Sequence, residues 1–224
     1  MKKIIITIIA GILAARIIQA QGTVTYLSNL GQSSVGSVSL GTNFWLALGF
    51  HTGTNAGGYM LNSVQLAMAA ASGNPSGFLA MVYGRNPSNS AADLPGSSIG
   101  GLSGSVNPIT TDIFTYTSAS NVTLSAGTYY FVVLTAASTI ANGAYNWSLS
   151  SSNFYNPSGH WSIIGGASTD FLSSNNGSSW NSIPFAFPQL AISATAIPEP
   201  GVLSLLGLGG LALLWKRRKT GGLR

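Results

Sequence analysis

Short runs of β-branched and aromatic residues, separated by clusters of glycine, asparagine, serine and proline, fill the chain from Gln21 to Ala196. The former suit strands and the latter favour turns, so this pattern predicts many short strands. The predicted strands are residues 23–27, 34–40, 44–50, 60–70, 78–83, 109–117, 121–124, 128–136, 145–150, 161–164 and 189–196. Their number and regular spacing favour an all-β fold, an antiparallel β-sandwich of the jelly-roll kind.

Three segments carry particular expectations. Residues 128–136 are apolar on both faces, which predicts a central strand. Residues 60–71 are rich in helix-forming residues, but Val64, Leu66 and Met68 alternate with less apolar positions, so a strand is favoured. Residues 84–108 have many glycines, prolines and serines and little periodicity, which predicts a long surface loop or crossover.

Charge is concentrated at the two ends of the chain. Of nine Lys and Arg residues, three lie in the first 20 positions and five in the last nine. The segment between them has one arginine and three aspartates, a net charge of −2: Arg85, Asp93, Asp112 and Asp170. Nucleic acid is therefore not expected as a partner, because phosphate binding needs several basic residues on one face.

The same scarcity of ionisable groups weighs against enzymatic chemistry. The central segment has three carboxylates and only His51 and His160 from which to build acid/base pairs. The chain has no cysteine, so it has neither disulfides nor a thiolate metal site. We therefore expect no cofactor, no metal and no catalytic residue, and a hydrolase is kept only as a third class of function.

Residues 1–20 are typical of a secretory signal peptide. Lys2 and Lys3 form the charged start, and Ile4 to Ala15 is an apolar run of 12 residues. Cleavage is predicted between Ala20 and Gln21, with the Sec translocon and signal peptidase as partners. The alternative is an uncleaved anchor, which is disfavoured because 12 residues cannot span a hydrocarbon core of ~30 Å.

The C-terminal segment from Ile197 to Arg224 has three ordered parts. Pro198, Glu199 and Pro200 come first, and the 15 uncharged residues from Gly201 to Trp215 predict a short transmembrane helix. That helix would be about 22 Å long, less than the ~30 Å of a bilayer core, so it predicts a transient hold on the membrane. The basic cluster that follows predicts a cytoplasmic end and consists of Lys216, Arg217, Arg218 and Lys219. A permanent C-terminal anchor is the alternative.

This tail resembles the PEP-CTERM sorting signal of Gram-negative bacteria that make extracellular polysaccharide. The residues that carry the resemblance are Pro198-Glu199-Pro200, the Gly/Leu-rich segment and the basic cluster, and the extra Thr220 to Arg224 departs from the pattern. The resemblance implies that an exosortase-type membrane peptidase recognises Pro-Glu-Pro and removes the helix. It also implies transient residence in the inner membrane and then release to the cell surface or extracellular matrix.

The body from residue 21 to residue 196 is similar to the choice-of-anchor R domain found ahead of such tails. Three stretches carry the resemblance: residues 50–66, residues 121–134 and the late Ser-Asn-Asn-Gly-Ser-Ser-Trp at residues 174–180. The resemblance implies a β-sandwich. It brings no known reaction, so it assigns no catalytic residue.

Two short motifs raise enzymatic hypotheses and fail on context. Gly96-Ser-Ser-Ile-Gly100 matches G-x-S-x-G, but no buried strand precedes it and no helical pattern follows it. His51 and His160 are 109 positions apart and have no metal-binding spacing around them.

Residues 173–180 follow the spacing S-x-D-x-G-x-T-W of an Asp-box hairpin, with Asn175 in the place of the acid and Ser179 in the place of the threonine. Asparagine and glycine accept the left-handed backbone conformation, so the motif predicts a tight turn with Trp180 packed over it. The amide at Asn175 makes a bound cation less expected.

Aromatic residues are concentrated between residues 147 and 180. Exposed aromatic faces bind sugar rings, so this cluster is the candidate glycan-binding site of a lectin-like module. The candidates are Trp147, Tyr155, Trp161 and Trp180, with Phe154 and His160 beside them and Asn146, Asn153 and Asn181 as hydrogen-bonding partners. The alternative is that the aromatics belong to the core and to turn packing.

The sequence therefore predicts a non-enzymatic exported protein of the cell surface or matrix, with exopolysaccharide as its expected partner. The predicted units are a signal peptide at 1–20, a β-sandwich body at 21–196 and a sorting segment at 197–224. The alternative function is the lectin-like carbohydrate-binding module.

Overall fold

A computed structural model describes residues 22–88, 93–152, 155–164, 170–183 and 187–199 of the chain. These residues form antiparallel strands and one short 3₁₀ turn at Ile140–Asn142. The strands are β1 (Val24–Ser28), β2 (Ser34–Leu40), β3 (Trp45–His51), β4 (Tyr59–Gly73), β5 (Leu79–Arg85), β6 (Pro95–Ser103), β7 (Asp112–Ser118), β8 (Thr123–Leu124), β9 (Tyr129–Thr135), β10 (Gly143–Ser150), β11 (Ser162–Ile163), β12 (Asp170–Ser173), β13 (Asn181–Ile183) and β14 (Leu190–Ala196). The predicted all-β antiparallel class is confirmed.

The strands belong to one curled sheet, in the order β1-β14-β4-β7-β6-β5-β9-β3-β12-β13. β4 is the longest strand, with 15 residues, and it pairs with β14 and then β10 along one edge and with β8 and β7 along the other. β6 and β7 pair only through Leu102↔Ser118 and Ser103↔Thr117. A sandwich ordinarily has two separate sheets. Here this short pairing joins one layer, β1-β14-β4-β7, to the other, β6-β5-β9-β3-β12-β13, within a single sheet.

The two layers enclose a common apolar core. Along β3, Leu46, Leu48 and Phe50 belong to this core, and along β4 Val64, Leu66 and Met68 do so. This alternation is the period of two expected for a strand, and it confirms that residues 60–70 form strand rather than helix. Each large side chain buried in this way contributes about 1.5–3 kcal/mol.

A second apolar cluster covers the opposite face of the β3–β9 pair. It consists of Ala47, Phe131, Val133, Ile164, Phe171 and Trp180. β9 is therefore buried on both faces, and it lies between β5 and β3 in the sheet. This confirms that residues 128–136 contain a central strand.

The prediction of a loop across residues 84–108 is wrong for its middle part, because β6 occupies Pro95–Ser103 and pairs with β5. β6 lacks the alternation of a half-buried strand, since small residues fill it. At Gly100 a side chain would clash with Val122. The glycine, which in the sequence suggests a turn, here allows Val122 to pack closely against the strand. The short strands β12 and β13 were also not predicted.

The predicted signal peptide, its cleavage site at Ala20 and Gln21, Pro200, the predicted membrane helix and the basic cluster at 216–219 lie outside the described residues. Within the described ranges, no helix is long and apolar enough to cross a membrane.

Candidate functional site

The described part of the predicted sorting motif lies against a turn of the body. Ile197, Pro198 and Glu199 follow directly after β14. The Ile197 N–H donates to the Gly58 carbonyl at 2.9 Å, and the Asn55 Nδ2 donates to the Ile197 carbonyl at 2.9 Å. The Ala56 N–H donates to Oε1 of Glu199 at 3.3 Å. The start of the motif is therefore bound to residues 55–58.

This turn also has hydrogen bonds of its own. The Gly58 N–H donates to the Asn55 carbonyl at 2.8 Å, and the Asn55 Nδ2 donates to the Gly58 carbonyl at 2.6 Å. The Asn55 N–H donates to the Tyr59 hydroxyl at 3.2 Å. Gly58 has φ = 76°, a conformation that glycine adopts without strain. The turn lies between the predicted strands 44–50 and 60–70, where glycine and asparagine favour a turn, but its contact with the tail was not predicted.

The four candidate glycan-binding aromatics do not form an exposed face. Trp147, Trp161, Tyr155 and Trp180 are 0%, 2%, 4% and 9% exposed. The prediction of an exposed aromatic platform is therefore wrong, because Trp147 of β10 and the three aromatics outside strands all pack into the apolar clusters. The alternative, that they are core and turn-packing residues, is confirmed.

Each of these rings has a structural role. The Trp147 Nε1–H donates to the Gln189 carbonyl at 3.0 Å, and the Tyr155 hydroxyl donates to the Pro188 carbonyl at 2.9 Å. Both bonds fasten other segments to the start of β14. Burial, and to a smaller extent the charge of Asp170, raises the pKa of Tyr155 above its ordinary value.

The polar candidates for glycan binding differ in their surroundings. Asn146 is engaged in the sheet, since its Nδ2 donates to the Ala70 carbonyl at 2.7 Å and its Oδ1 accepts from Ser39 at 2.7 Å. Asn181 and His160 are exposed, and Asn153 and Phe154 lie outside the described residues.

The Asp-box-like segment forms the predicted tight turn between β12 and β13. Oδ1 of Asn175 accepts from the Ser179 N–H at 2.8 Å and from the Ser173 hydroxyl at 2.9 Å. Asn176 and Gly177 have φ values of 59° and 81°. Trp180 packs into the second apolar cluster, as the motif predicted.

A polar cleft of about 540 Å³ lies between this hairpin and the β5–β6 connection. Its lining combines hydroxyl, amide and backbone groups with apolar side chains. The polar part includes Asn86, Ser97, Ser178 and Ser179, and the apolar part consists of Pro87, Leu94, Pro95 and Trp180.

The ionisable residues of the body are dispersed. His51 lies in β3 beside Tyr129, with ring centroids 4.6 Å apart, whereas His160 lies in a turn with φ = 63°. Ser98, the central serine of G-x-S-x-G, lies within β6 opposite Tyr83 rather than at a strand-to-helix turn. In the described ranges no group of three His, Cys, Asp or Glu residues could hold a metal ion.

The tail matches a known family model. Residues 196–219 match the family model of the PEP-CTERM protein-sorting motif. This range contains Pro198, Glu199 and Pro200 and ends on the basic cluster. A search of curated proteins finds no match to the chain.

The tail therefore defines a class of protein, the exported proteins sorted by an exosortase-type membrane peptidase. The chain carries the PEP-CTERM sorting motif at its C-terminal end. The match does not extend into the β-sheet body, so the resemblance of the body to the choice-of-anchor R domain stays a prediction.

Proposed function

We propose that this chain is a non-enzymatic protein of the cell surface or extracellular matrix, delivered by its C-terminal motif and associated with exopolysaccharide. The observation that carries the proposal is the sorting motif at residues 196–219. After export, the peptidase cuts at Pro-Glu-Pro and releases the β-sheet body from its transient membrane helix.

The surroundings of the carboxylates support a non-enzymatic body. Asp93 forms an ion pair with Arg85 at 2.7 Å, and Asp112 accepts a hydrogen bond from the Ile113 N–H at 2.7 Å. Asp170 is buried in β12, between β3 and β13. These groups are dispersed and engaged in the fold, whereas acid/base catalysis needs ionisable groups placed together in one site.

Replacement of Pro198, Glu199 and Pro200 by alanine tests the sorting role in the native host. Intact-mass measurement of the wild type is expected to show loss of both the signal peptide and the tail. The triple variant is expected to keep the tail and to stay in the membrane fraction. Pro87→Ala is the matched control, because Pro87 is exposed and lies far from the motif in the sequence. This variant is expected to be processed normally. If the triple variant has the same mass and location as the wild type, the sorting role is refuted.

A second candidate function is carbohydrate binding in the cleft between the β5–β6 connection and the β12–β13 hairpin. Its serine hydroxyls and the Asn86 amide lie beside Trp180, Leu94 and two prolines, a mixture of polar and apolar groups that is chemically suited to a neutral sugar. A glycan array probed with the wild type and with Ser178→Tyr, which fills the cleft, tests this candidate. Equal binding by both proteins, or none by the wild type, would eliminate it.

A further inference from the structure

The turn at Asn55–Gly58 contacts the sorting motif through three kinds of group. The bond from the Ile197 N–H to the Gly58 carbonyl extends the β4–β14 ladder by one step beyond Tyr59 and Ala196. The Asn55 side chain binds the next group of the tail, the Ile197 carbonyl. The Ala56 N–H then binds the Glu199 carboxylate, the acid of the Pro-Glu-Pro motif itself.

Gly57 is adapted to the tail rather than to the turn. A side chain at this position would clash with the Ile197 carbonyl oxygen and lie 3.1 Å from the Pro198 carbonyl oxygen. Its φ lies outside the left-handed region, so the backbone conformation itself does not require glycine. Gly58, in contrast, needs its positive φ for the turn. The missing side chain at Gly57 therefore serves the close approach of the tail.

The turn is fixed by the core below it. The hydroxyl of Tyr59 accepts the Asn55 N–H, and the Tyr59 ring lies edge-on to Trp161 with ring centroids 5.0 Å apart. The Gly127 N–H donates to the Gly53 carbonyl at 2.8 Å. Because these contacts hold the turn without the tail, docking does not have to order the turn, which favours binding.

We propose that the Asn55–Gly58 turn is a docking site for the chain's own sorting motif, and that docking withholds the motif from the membrane peptidase. The proposal rests on the proposed sorting function. The Ile197 carbonyl and the Glu199 carboxylate are engaged by the turn, and one side of the segment packs on Gly57. The peptidase therefore recognises only molecules in which the segment has left the body.

The docked segment lowers the rate of processing because only the undocked fraction is competent. One hydrogen bond of this kind changes such an equilibrium about 2- to 10-fold. Loss of the Asn55 amide or a clash at Gly57 is thus expected to raise the undocked fraction, and with it the initial processing rate, by about that factor.

Pulse-labelled processing of the full chain in the native host tests this effect with Asn55→Ala and Gly57→Ala. Gly31→Ala is the matched control, because a side chain there meets nothing within 4 Å. Both turn variants are expected to lose their tails faster than the wild type and the control. Equal or slower processing overturns the withholding role, and slower processing would mean that the turn presents the motif instead.

Hydrogen exchange of the full chain in lipid nanodiscs, without peptidase, tests docking separately from processing. The Ile197 and Ala56 N–H groups are expected to be protected in the wild type and to exchange faster in Gly57→Ala, with the β9 amides unchanged in both as a check on folding. Equal exchange in the wild type and Gly57→Ala overturns docking. A wild type that is never processed refutes the sorting function and the withholding role together, while the exchange result still decides whether the tail docks.

Discussion

Trp161 connects three strands of the core, so its truncation tests the assignment of the aromatic cluster to structure. Its ring stacks on Tyr26 of β1, with centroids 4.7 Å apart and planes 13° apart, and on Phe50 of β3, at 5.7 Å and 4°. Tyr59 of β4 meets it edge-on at 5.0 Å. The indole is thus held between rings from both layers of the curled sheet.

Trp161→Ala removes a side chain that is 2% exposed and leaves a cavity between two stacked rings. Such a truncation costs about 3–5 kcal/mol of the free energy of unfolding. The three ring contacts, each worth about 0.5–1.5 kcal/mol beyond their area, place the loss at the upper end of that range. A domain has only about 5–15 kcal/mol of stability, so this variant is expected to lose a third of it or more.

Urea unfolding of the purified chain, followed by circular dichroism, measures this loss. With a urea dependence of about 2 kcal/mol per molar, the midpoint is expected to fall by about 2.5 M. The urea midpoint of Trp161→Phe is expected to fall much less. This variant keeps an apolar ring, and it removes a buried Nε1–H that has no hydrogen-bond partner among the described residues. Val106→Ala, at a position that is 71% exposed, is the surface control. A shift below about 0.5 M for Trp161→Ala would refute the structural role.

Two further predictions concern the hairpin and the buried tyrosines. Asn175→Ala removes the acceptor of two hydrogen bonds and is expected to lower the free energy of unfolding by about 1 kcal/mol, whereas Asn175→Asp keeps the acceptor; equal urea midpoints for the two variants would contradict this. Burial raises the pKa of Tyr116 and Tyr155 above the ordinary value of 10.0, so stability is complete below pH ~10, where both states are protonated, and falls above it as the unfolded state ionises first. Urea midpoints at about pH 9 and about pH 11 are expected to differ more for the wild type than for Tyr155→Phe, and a midpoint that does not fall with pH would contradict the prediction.

Strands with strong alternation or continuous apolar runs were predictable from the sequence. Residues 34–40 were predicted with the bounds that β2 has, and the core of β9 was recognised because its apolar residues occupy both faces. β6 was missed because glycine and serine fill it, and its place in the sheet comes from pairing with β5. Propensity does not contain such tertiary pairing, so the sequence could not predict it.

The candidate site was predictable only in its sequence-local part. Pro198, Glu199 and Pro200 form a contiguous motif that can be read directly, and the family match supports them. The contact between Asn55 and Ile197 joins residues that are 142 positions apart, and no local sequence pattern predicts it. The aromatic cluster shows the opposite error, since nearness in sequence suggested a shared exposed surface, whereas the structure packs these rings into the two apolar clusters.

The basic residues lie in the terminal segments that are proposed to direct export and sorting, whereas the body that would act afterwards has few charges. In the proposed route, the basic cluster after the apolar segment would lie at the anionic cytoplasmic membrane surface, with about 1 kcal/mol of attraction for each Lys or Arg. The two proposed cleavages remove this cluster and the basic residues of the signal peptide. They leave a body, residues 21–196, that has a net charge of −2 and in which Arg85 and Asp93 pair with each other. Electrostatic attraction would then contribute little to binding an exopolysaccharide. In the proposed function, association with an exopolysaccharide would therefore depend on hydrogen bonds from the hydroxyl and amide groups in which the body is rich, and such bonds need close contact rather than a long-range field.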